Sequence, residues 1–338
     1  MTHLLQRRQC LAGLGGLLVA GLGWRPALAS ADVHRASRIM MGTRIDIVAQ
    51  GKGPTGTAAA VQAAFAEMRR LERMMSHHRA DSLVSALHRS AGRGAVMVPP
   101  ELVAVLQRAD ELSRLSEGAF DITVGAYAGW SFDPQDARIP PLEELRRERR
   151  LVDFRDMLLD PRAGQARLAR PGMRIDLGGV AKLPILQAGL RVLEQHGVHN
   201  AMVNGGGDVL TRGQLLGQDW RVGVRDPRAP ERLIGTLHLR DGCVASSGDY
   251  ERCFERNGRR YHHVLNPSTG MPSSGVRGVV MVSRQSHQIN GLGAAIMVAG
   301  AHTGRHLLAP LRGVDSLIVD ADSRVQTLGL MDERLRTT

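Results

Sequence analysis

Apolar residues recur every three or four positions in several stretches of the chain, which is the spacing of one helical face. The clearest case is 57–75, where Val61, Phe65, Met68 and Met75 share a face. The same pattern predicts helices over 82–88, 101–116, 142–150 and 183–196, and a buried helix over 288–300.

Alternating apolar and polar residues predict the strands. We expect a first strand over 38–48, a strand end at 173–177 and a strand at 201–204. In the second half, turn signals such as Asn257-Gly258 separate stretches that predict antiparallel strands. These stretches are 220–225, 234–239, 243–246, 261–265 and 276–282, and a last strand at 316–320 precedes a loose tail. No linker or repeat divides 30–338, so this range is predicted to be one domain.

The stretch 173–182 combines a strand end, two glycines and a helix start. Gly178 and Gly179 permit a tight turn, and a following helix would tolerate Pro184 in its first turn. The unpaired N–H groups of such a helix start attract phosphate. Asp176 and Lys182 flank the turn, and Lys182 is one of only two lysines in the chain. The alternative is an ordinary strand-to-helix turn with solvated charges.

Residues 1–29 have the pattern of an export signal. Arg7-Arg8 precedes an apolar run over 10–23, and Ala27-Leu28-Ala29 offers a cleavage site before Ser30. The paired arginines indicate the twin-arginine route, so the protein is expected in the periplasm. An uncleaved amino-terminal anchor is the alternative.

The formal net charge is +11, and it falls to about +8 once the three arginines of residues 1–29 are removed. Basic residues are scattered and aromatic residues make up only 3% of the chain, which argues against nucleic-acid binding. Attraction to anionic small molecules or membrane surfaces stays open. Cys243 and Cys253 are the only cysteines after residue 29, and the sequence leaves open whether they are bridged.

Seven short segments, in order along the chain, together resemble the FAD:protein FMN transferase family, also called the ApbE family. Any one of these segments is a weak signal, but the set covers nearly the whole of 30–338. The segments are Met41-Gly42-Thr43, the run 118–125, the run 175–182, Asn204-Gly205-Gly206-Gly207-Asp208, the run 220–223, the run 246–252 and the run 261–270.

The resemblance implies an α+β fold of flavin-transferase, T-fold-like architecture, with mixed and antiparallel sheets and packed helices. It also implies Mg²⁺-dependent cleavage of FAD and attachment of FMN, through a phosphoester, to a Ser or Thr of an exported or membrane flavoprotein. Association with the inner membrane would come through that target. The family pattern places these residues in the FAD site: Met41, His78, Ala119, Phe120, Asp121, Asp176, Lys182 and Val264.

His263 matches the histidine of the family's His-x-x-Asp-Pro motif. The resemblance implies that it accepts the proton of the incoming hydroxyl or contacts the phosphate. The alternative is an ordinary strand histidine. Asn266 stands where the family has aspartate, which preserves a turn but not a charge.

The sharpest departure concerns the metal. The family's Ala-Asp-Ala-Leu-Ala-Thr-Ala supplies an Asp and a Thr ligand four residues apart on a helix, with the Gly179 carbonyl facing the ion. Here those positions are Asn290 and Ala294, so we expect a weakened Mg²⁺ site. Leu183-Pro184 also replaces the usual Gly-Tyr. Two hypotheses follow: a working transferase with an altered metal site, or a non-catalytic FAD-binding relative that carries flavin or assists flavoprotein assembly.

Overall fold

One eight-stranded antiparallel sheet organises the protein, for which a computed structural model describes residues 33–51 and 53–336. Its strand order is β1-β2-β6-β7-β10-β13-β14-β15. The bounds of these strands are β1 Val33–Met40, β2 Thr43–Gln50, β6 Asn200–Gly205, β7 Asp208–Arg212, β10 Gly242–Gly248, β13 Val276–Ser283, β14 Val314–Asp320 and β15 Val325–Leu328.

Three smaller antiparallel units accompany this sheet, one of them a hairpin. Strands β3 Val96–Met97, β4 Met157–Asp160 and β5 Gln165–Leu168 form one, and β8 Trp220–Asp226, β9 Ala229–Leu239 and β16 Leu335–Arg336 form another. The hairpin pairs β11 Cys253–Arg256 with β12 Arg259–His262.

The helices of the described residues are α1 Pro54–Met75, α2 Leu83–Ser90, α3 Pro100–Leu115, α4 Leu142–Arg149, α5 Gly178–Gln195, α6 Ser286–Ile289, α7 Leu292–Ala299, α8 Ala301–Leu308 and α9 Met331–Arg334. Most of them overlap the ranges that the apolar spacing predicts, but α8 and α9 were not predicted. Two short 3-10 helices span Ile122–Ala126 and Phe154–Asp156.

The large sheet buries both of its faces. Ile47 points into the core formed with α1 and α5, whereas the next residue, Val48, belongs to a second core that includes Trp220 and Leu237. Successive side chains of a strand point to opposite faces, so a sheet covered on both sides reads as a nearly continuous apolar run. Helices therefore cover one face and β8 and β9 cover the other. The predicted α+β class is confirmed, and the strand ladders of the described residues are all antiparallel.

Four local predictions were wrong. The range 38–48 is not one strand, because Met41 and Gly42 both have positive φ and turn the chain into a hairpin. The range 173–177 forms no strand ladder, and α5 begins at Gly178, so Pro184 lies inside the helix. The range 288–300 is interrupted at Asn290 and Gly291. The expected loose tail instead contains β15, α9 and β16.

The predicted export signal, residues 1–29, lies outside the described residues. Within the described residues, no helix is long and apolar enough to cross a membrane.

Candidate functional site

Asp176 defines the start of α5. Its carboxylate accepts a hydrogen bond from the Gly178 N–H at 2.7 Å and pairs with His77 Nδ1 at 3.2 Å. Its own N–H donates to the carbonyl of Ile122 at 2.7 Å. Burial acts to raise the pKa of Asp176, but the His77 bond, the Gly178 N–H and the charge of Arg252 outweigh it, so the pKa lies below its usual value. The carboxylate is therefore charged.

The helix start has fewer unpaired amides than the sequence suggested. Gly178 donates to Asp176, and the N–H groups of Val180 and Ala181 both donate to the Leu177 carbonyl. An anion at this place would therefore depend more on side-chain charge than on the helix amides.

Lys182, one turn into α5, forms an ion pair with a buried carboxylate. Its Nζ lies 2.9 Å from Asp208 Oδ2, and the Ser246 N–H donates to the other carboxylate oxygen. Burial acts to lower the pKa of Lys182, but Asp208 and Glu251 outweigh burial and raise it. The ammonium is therefore charged, and the ion pair leaves it with further donors for a ligand.

Glu251 is a third titratable group here. Burial raises its pKa to about 7, against the opposing effect of Lys182. Gly207 lies close to both Ser246 and Glu251. A Cβ on Gly207 would lie 2.4 Å from Ser246 Oγ and 3.6 Å from a Glu251 oxygen. The glycine in this turn thus permits the close approach of the two segments.

His263 and His262 play different roles. His262 is buried, and its Nε2 lies 2.8 Å from the Ser273 carbonyl, which is a structural contact. His263 Nδ1 is also buried but has no hydrogen-bond partner among the described residues. Burial lowers the pKa of His263 to about 3, with further lowering by Arg252 and Lys182. The neutral imidazole has a buried nitrogen available to a ligand, and the negative charge of a bound phosphate would raise this low pKa towards that of a general base.

Asp121 caps the 3-10 helix Ile122–Ala126 instead of facing a partner cation. Its Oδ1 accepts from the Thr123 N–H at 2.7 Å and the Thr123 hydroxyl at 2.6 Å. Burial raises its pKa to about 6, against these hydrogen bonds. Asp121 also lines a cavity of about 740 Å³ with Phe154 and several arginines, but Lys182 and His263 do not line that cavity.

Phe120 and Gly179 touch. A Cβ on Gly179 would lie 3.1 Å from the Phe120 ring and 3.8 Å from the Ala294 methyl. A Cβ on Gly291 would lie 3.5 Å from the Gly179 carbonyl oxygen. The structure therefore brings the three candidate metal positions, Gly179, Asn290 and Ala294, to one place.

The residues at that place do not fit a Mg²⁺ site. Asn290 turns its amide nitrogen to the Val180 carbonyl at 2.9 Å, and Ala294 offers only a methyl group. Mg²⁺ requires oxygen ligands in near-octahedral geometry. The described residues also contain no group of three or more His, Cys, Asp or Glu side chains that could hold a metal. The expectation that Asn290 and Ala294 share one helical face was wrong, because Asn290 lies in the break between α6 and α7.

The remaining candidates adjoin this region. Met41 sits in the β1–β2 turn, and a Cβ on Gly206 would lie 2.7 Å from Thr43 of that turn, next to Asp208. Val264 directly follows His263, and its carbonyl accepts from the Ser273 N–H. Ala119 directly precedes Phe120.

His78 packs against His77, with ring centroids 3.8 Å apart and the rings tilted by 49°. Burial, followed by the effect of His77, lowers the pKa of His78. The imidazole pair lies beside the carboxylate of Asp176, through the contact of His77.

Sequence reasoning missed His77, Asp208, Glu251 and Arg252 as functional side chains. Asp208 and Glu251 stand in the matched segments 204–208 and 246–252, so their acidic character was a usable signal. The His77–Asp176 pair had no such signal, because residues 99 positions apart give no local pattern that predicts a contact. The two cysteines are not bridged: Cys243 Sγ donates to the Ser283 carbonyl and Cys253 Sγ to the Tyr250 carbonyl.

Comparisons with known proteins agree with this arrangement. A family model described as the ApbE family matches residues 41–318. The FAD:protein FMN transferase of Treponema pallidum is 31% identical over 94% of this chain and 93% of its own length. The enzyme of the same name from Klebsiella pneumoniae is 31% identical over 71% of this chain and 74% of its own length. The crystal structure of an ApbE protein from Thermotoga maritima superposes with a TM-score of 0.80 at 30% identity, covering 90% of this chain and 99% of the other. The flavin-transferase architecture is thereby confirmed.

Replacing His263 with glutamine tests the burial of its ring. Because the folded-state pKa, about 3, lies below the ordinary 6.5, the unfolded state binds this proton first as pH falls. His263 therefore removes stability below about pH 6.5, by about 3 kcal/mol near pH 4. The glutamine variant should lose less stability over this window in urea unfolding. Stability curves that run parallel for the two proteins would contradict a buried ring.

Proposed function

The chain belongs to the ApbE family, and from this premise we propose that it is an FAD:protein FMN transferase that attaches FMN to a Ser or Thr hydroxyl of a target flavoprotein. The observation that carries the proposal is the neutral imidazole of His263, whose buried Nδ1 has no partner among the described residues and whose pKa is affected by the charge of Lys182. These are a proton acceptor and a phosphate-binding cation, which phosphoryl transfer to a hydroxyl requires. The names of the relatives support the same reaction.

In the proposed reaction, the acceptor hydroxyl oxygen attacks the phosphorus atom on the FMN side of the FAD pyrophosphate. The bond from that phosphorus to the bridging oxygen breaks, and AMP leaves with the electron pair. His263 accepts the hydroxyl proton. Lys182, held at 2.9 Å from Asp208, places a positive charge beside the phosphates. FMN is thereby joined to the acceptor through a phosphoester.

The electrostatics of the ion pair suit this role. Asp208 holds Lys182 in a fixed position, so little rearrangement is needed when phosphate charge arrives. Glu251, with a pKa of about 7, can be protonated when no ligand is bound and so limits the negative charge beside the ammonium. Asp176 and His77 hold the start of α5 against the 3-10 helix that follows Asp121.

The proposed reaction includes no step that depends on Mg²⁺, because Asn290 and Ala294 do not replace the Asp and Thr ligands of the family pattern. This same observation supports the second candidate function. A relative that binds FAD without transferring FMN would act as a flavin carrier or an assembly factor for a flavoprotein. In either case the ligand is FAD and the partner is a flavoprotein.

An FMN-transfer assay separates these functions. The purified protein is incubated with FAD and peptides that present Ser or Thr, and covalent FMN is read by mass. We expect transfer by the original protein and a loss of about 100-fold or more in His263→Ala, since a general base contributes about 10²–10⁴-fold.

FAD binding in His263→Ala should persist, and His302→Ala, which alters an exposed histidine on α8, should leave transfer unchanged. FAD binding without transfer by the original protein, at every Mg²⁺ concentration, would instead favour the carrier function.

We also propose that residues 1–29 direct export to the periplasm by the twin-arginine route. The support is the Arg7-Arg8 pair before an apolar run and a small-residue cleavage site. Replacing both arginines with lysine should leave uncleaved precursor in the cytoplasm, which fractionation and mass measurement would detect. Unaltered mature protein in the periplasm after that change would contradict the twin-arginine route.

A further inference from the structure

Pro184 interrupts the hydrogen bonding of α5 in its second turn. In an α-helix the N–H of each residue donates to the carbonyl four positions earlier, and proline has no N–H. The carbonyl that loses its donor is that of Val180, a residue with 0% exposure. An unsatisfied buried carbonyl costs about 1–3 kcal/mol, so the fold must supply another donor.

The donor comes from Asn290. Its Nδ2 lies 2.9 Å from the Val180 carbonyl oxygen, and Asn290 is itself buried, with 4% exposure. A carbonyl oxygen only accepts, so the amide must present its nitrogen and not its oxygen. An ionised aspartate has no donor, and at this position it would set a second acceptor against the carbonyl.

Asn290 is held on its backbone side as well. The guanidinium of Arg108, on α3, donates to the Asn290 carbonyl from Nε at 3.3 Å and Nη2 at 3.2 Å, and to the Gln288 carbonyl at 3.3 Å. Asn290 has extended backbone angles, and Gly291 follows with a φ of 80°. These contacts fix the break between α6 and α7.

Two departures from the family pattern thus meet in one hydrogen bond. Pro184 creates an unsatisfied carbonyl, and Asn290 satisfies it, although the two residues are 106 positions apart in the chain. The Ala294 methyl packs beside Gly179 instead of offering a ligand. We propose that Asn290 is a positioning residue that links the 290–294 segment directly to the start of α5, in place of an ion held between them. The link supports the helical turn that carries Lys182.

A double-mutant cycle tests the link without any ligand. Asn290→Ala, Pro184→Ala and the double variant are compared with the original protein by urea unfolding. With Pro184 present, Asn290→Ala should lower the folding equilibrium constant about tenfold, the usual value of a buried hydrogen bond. In the Pro184→Ala background, where the alanine N–H can bond to the Val180 carbonyl, Asn290→Ala should lower the constant by about threefold or less. Equal losses in the two backgrounds would overturn the proposal.

A second measurement uses Mg²⁺ alone as the probe and does not require that Asn290→Ala folds. The original protein should show no saturable increase in Tm as Mg²⁺ rises through the millimolar range. The triple variant Pro184→Ala, Asn290→Asp, Ala294→Thr should show one, because the new helical N–H bonds to Val180 and releases position 290 for an ion. A saturable Mg²⁺ shift in the original protein would make Asn290 a ligand and overturn the proposal. If Mg²⁺ does not raise the Tm of the triple variant, that result would also contradict the proposal that the Asn290 hydrogen bond stands in place of an ion.

Affinity for FAD gives a third readout, which rests on the proposed function. Asn290→Ala should weaken FAD binding, and adding Pro184→Ala should restore it, because the start of α5 regains its hydrogen bond. A loss that Pro184→Ala does not rescue would show that Asn290 acts on FAD in another way. If the original protein binds no FAD, the proposed function fails, whereas the unfolding cycle still decides the role of Asn290.

Discussion

The carboxylate of Asp176 fixes the position of α5, and the candidate site depends on that position. Asp176 joins three parts of the chain: the first amide of α5 through Gly178, the turn after α1 through His77, and the 3-10 helix Ile122–Ala126 through its own N–H and the Ile122 carbonyl. Helix ends must have their polar groups satisfied. Asp176 meets this need at the helix start while it keeps its charge, so the same side chain serves the fold and the electrostatics of the site.

The candidate site contains a few interacting titratable groups. Lys182 is paired with Asp208, Glu251 has a raised pKa, and His263 has a lowered one. Burial disfavours the charged forms of both Glu251 and His263, so the pKa values of the two groups differ from those of ordinary surface residues in opposite directions. Such shifts are typical of sites that move protons. The cations that act on these groups are Lys182 and Arg252.

The sequence predicted most helices because their apolar stripes are regular, as in α1 and α3. It failed where one residue changes the local geometry. The positive φ of Met41 turned an expected strand into a hairpin. The range 173–177 alternates like a strand, but its residues bond to the 3-10 helix and to side chains instead of a ladder. Pro184 was expected in the first helical turn and lies further in, where the Val180–Asn290 bond makes it tolerable. Contacts of this kind are set by tertiary packing, so the spacing of residues could not reveal them.

The central claim is that the charge of Lys182 holds the pyrophosphate of FAD. The most direct measurement compares the dissociation constants of FAD and riboflavin, which lacks the phosphates, for the original protein and Lys182→Ala. The account predicts that FAD binds about tenfold or more tightly than riboflavin, and that most of this difference disappears in the variant because a charge-assisted contact of about 1.5–3 kcal/mol is lost. Equal affinities for FAD and riboflavin in the original protein would contradict it.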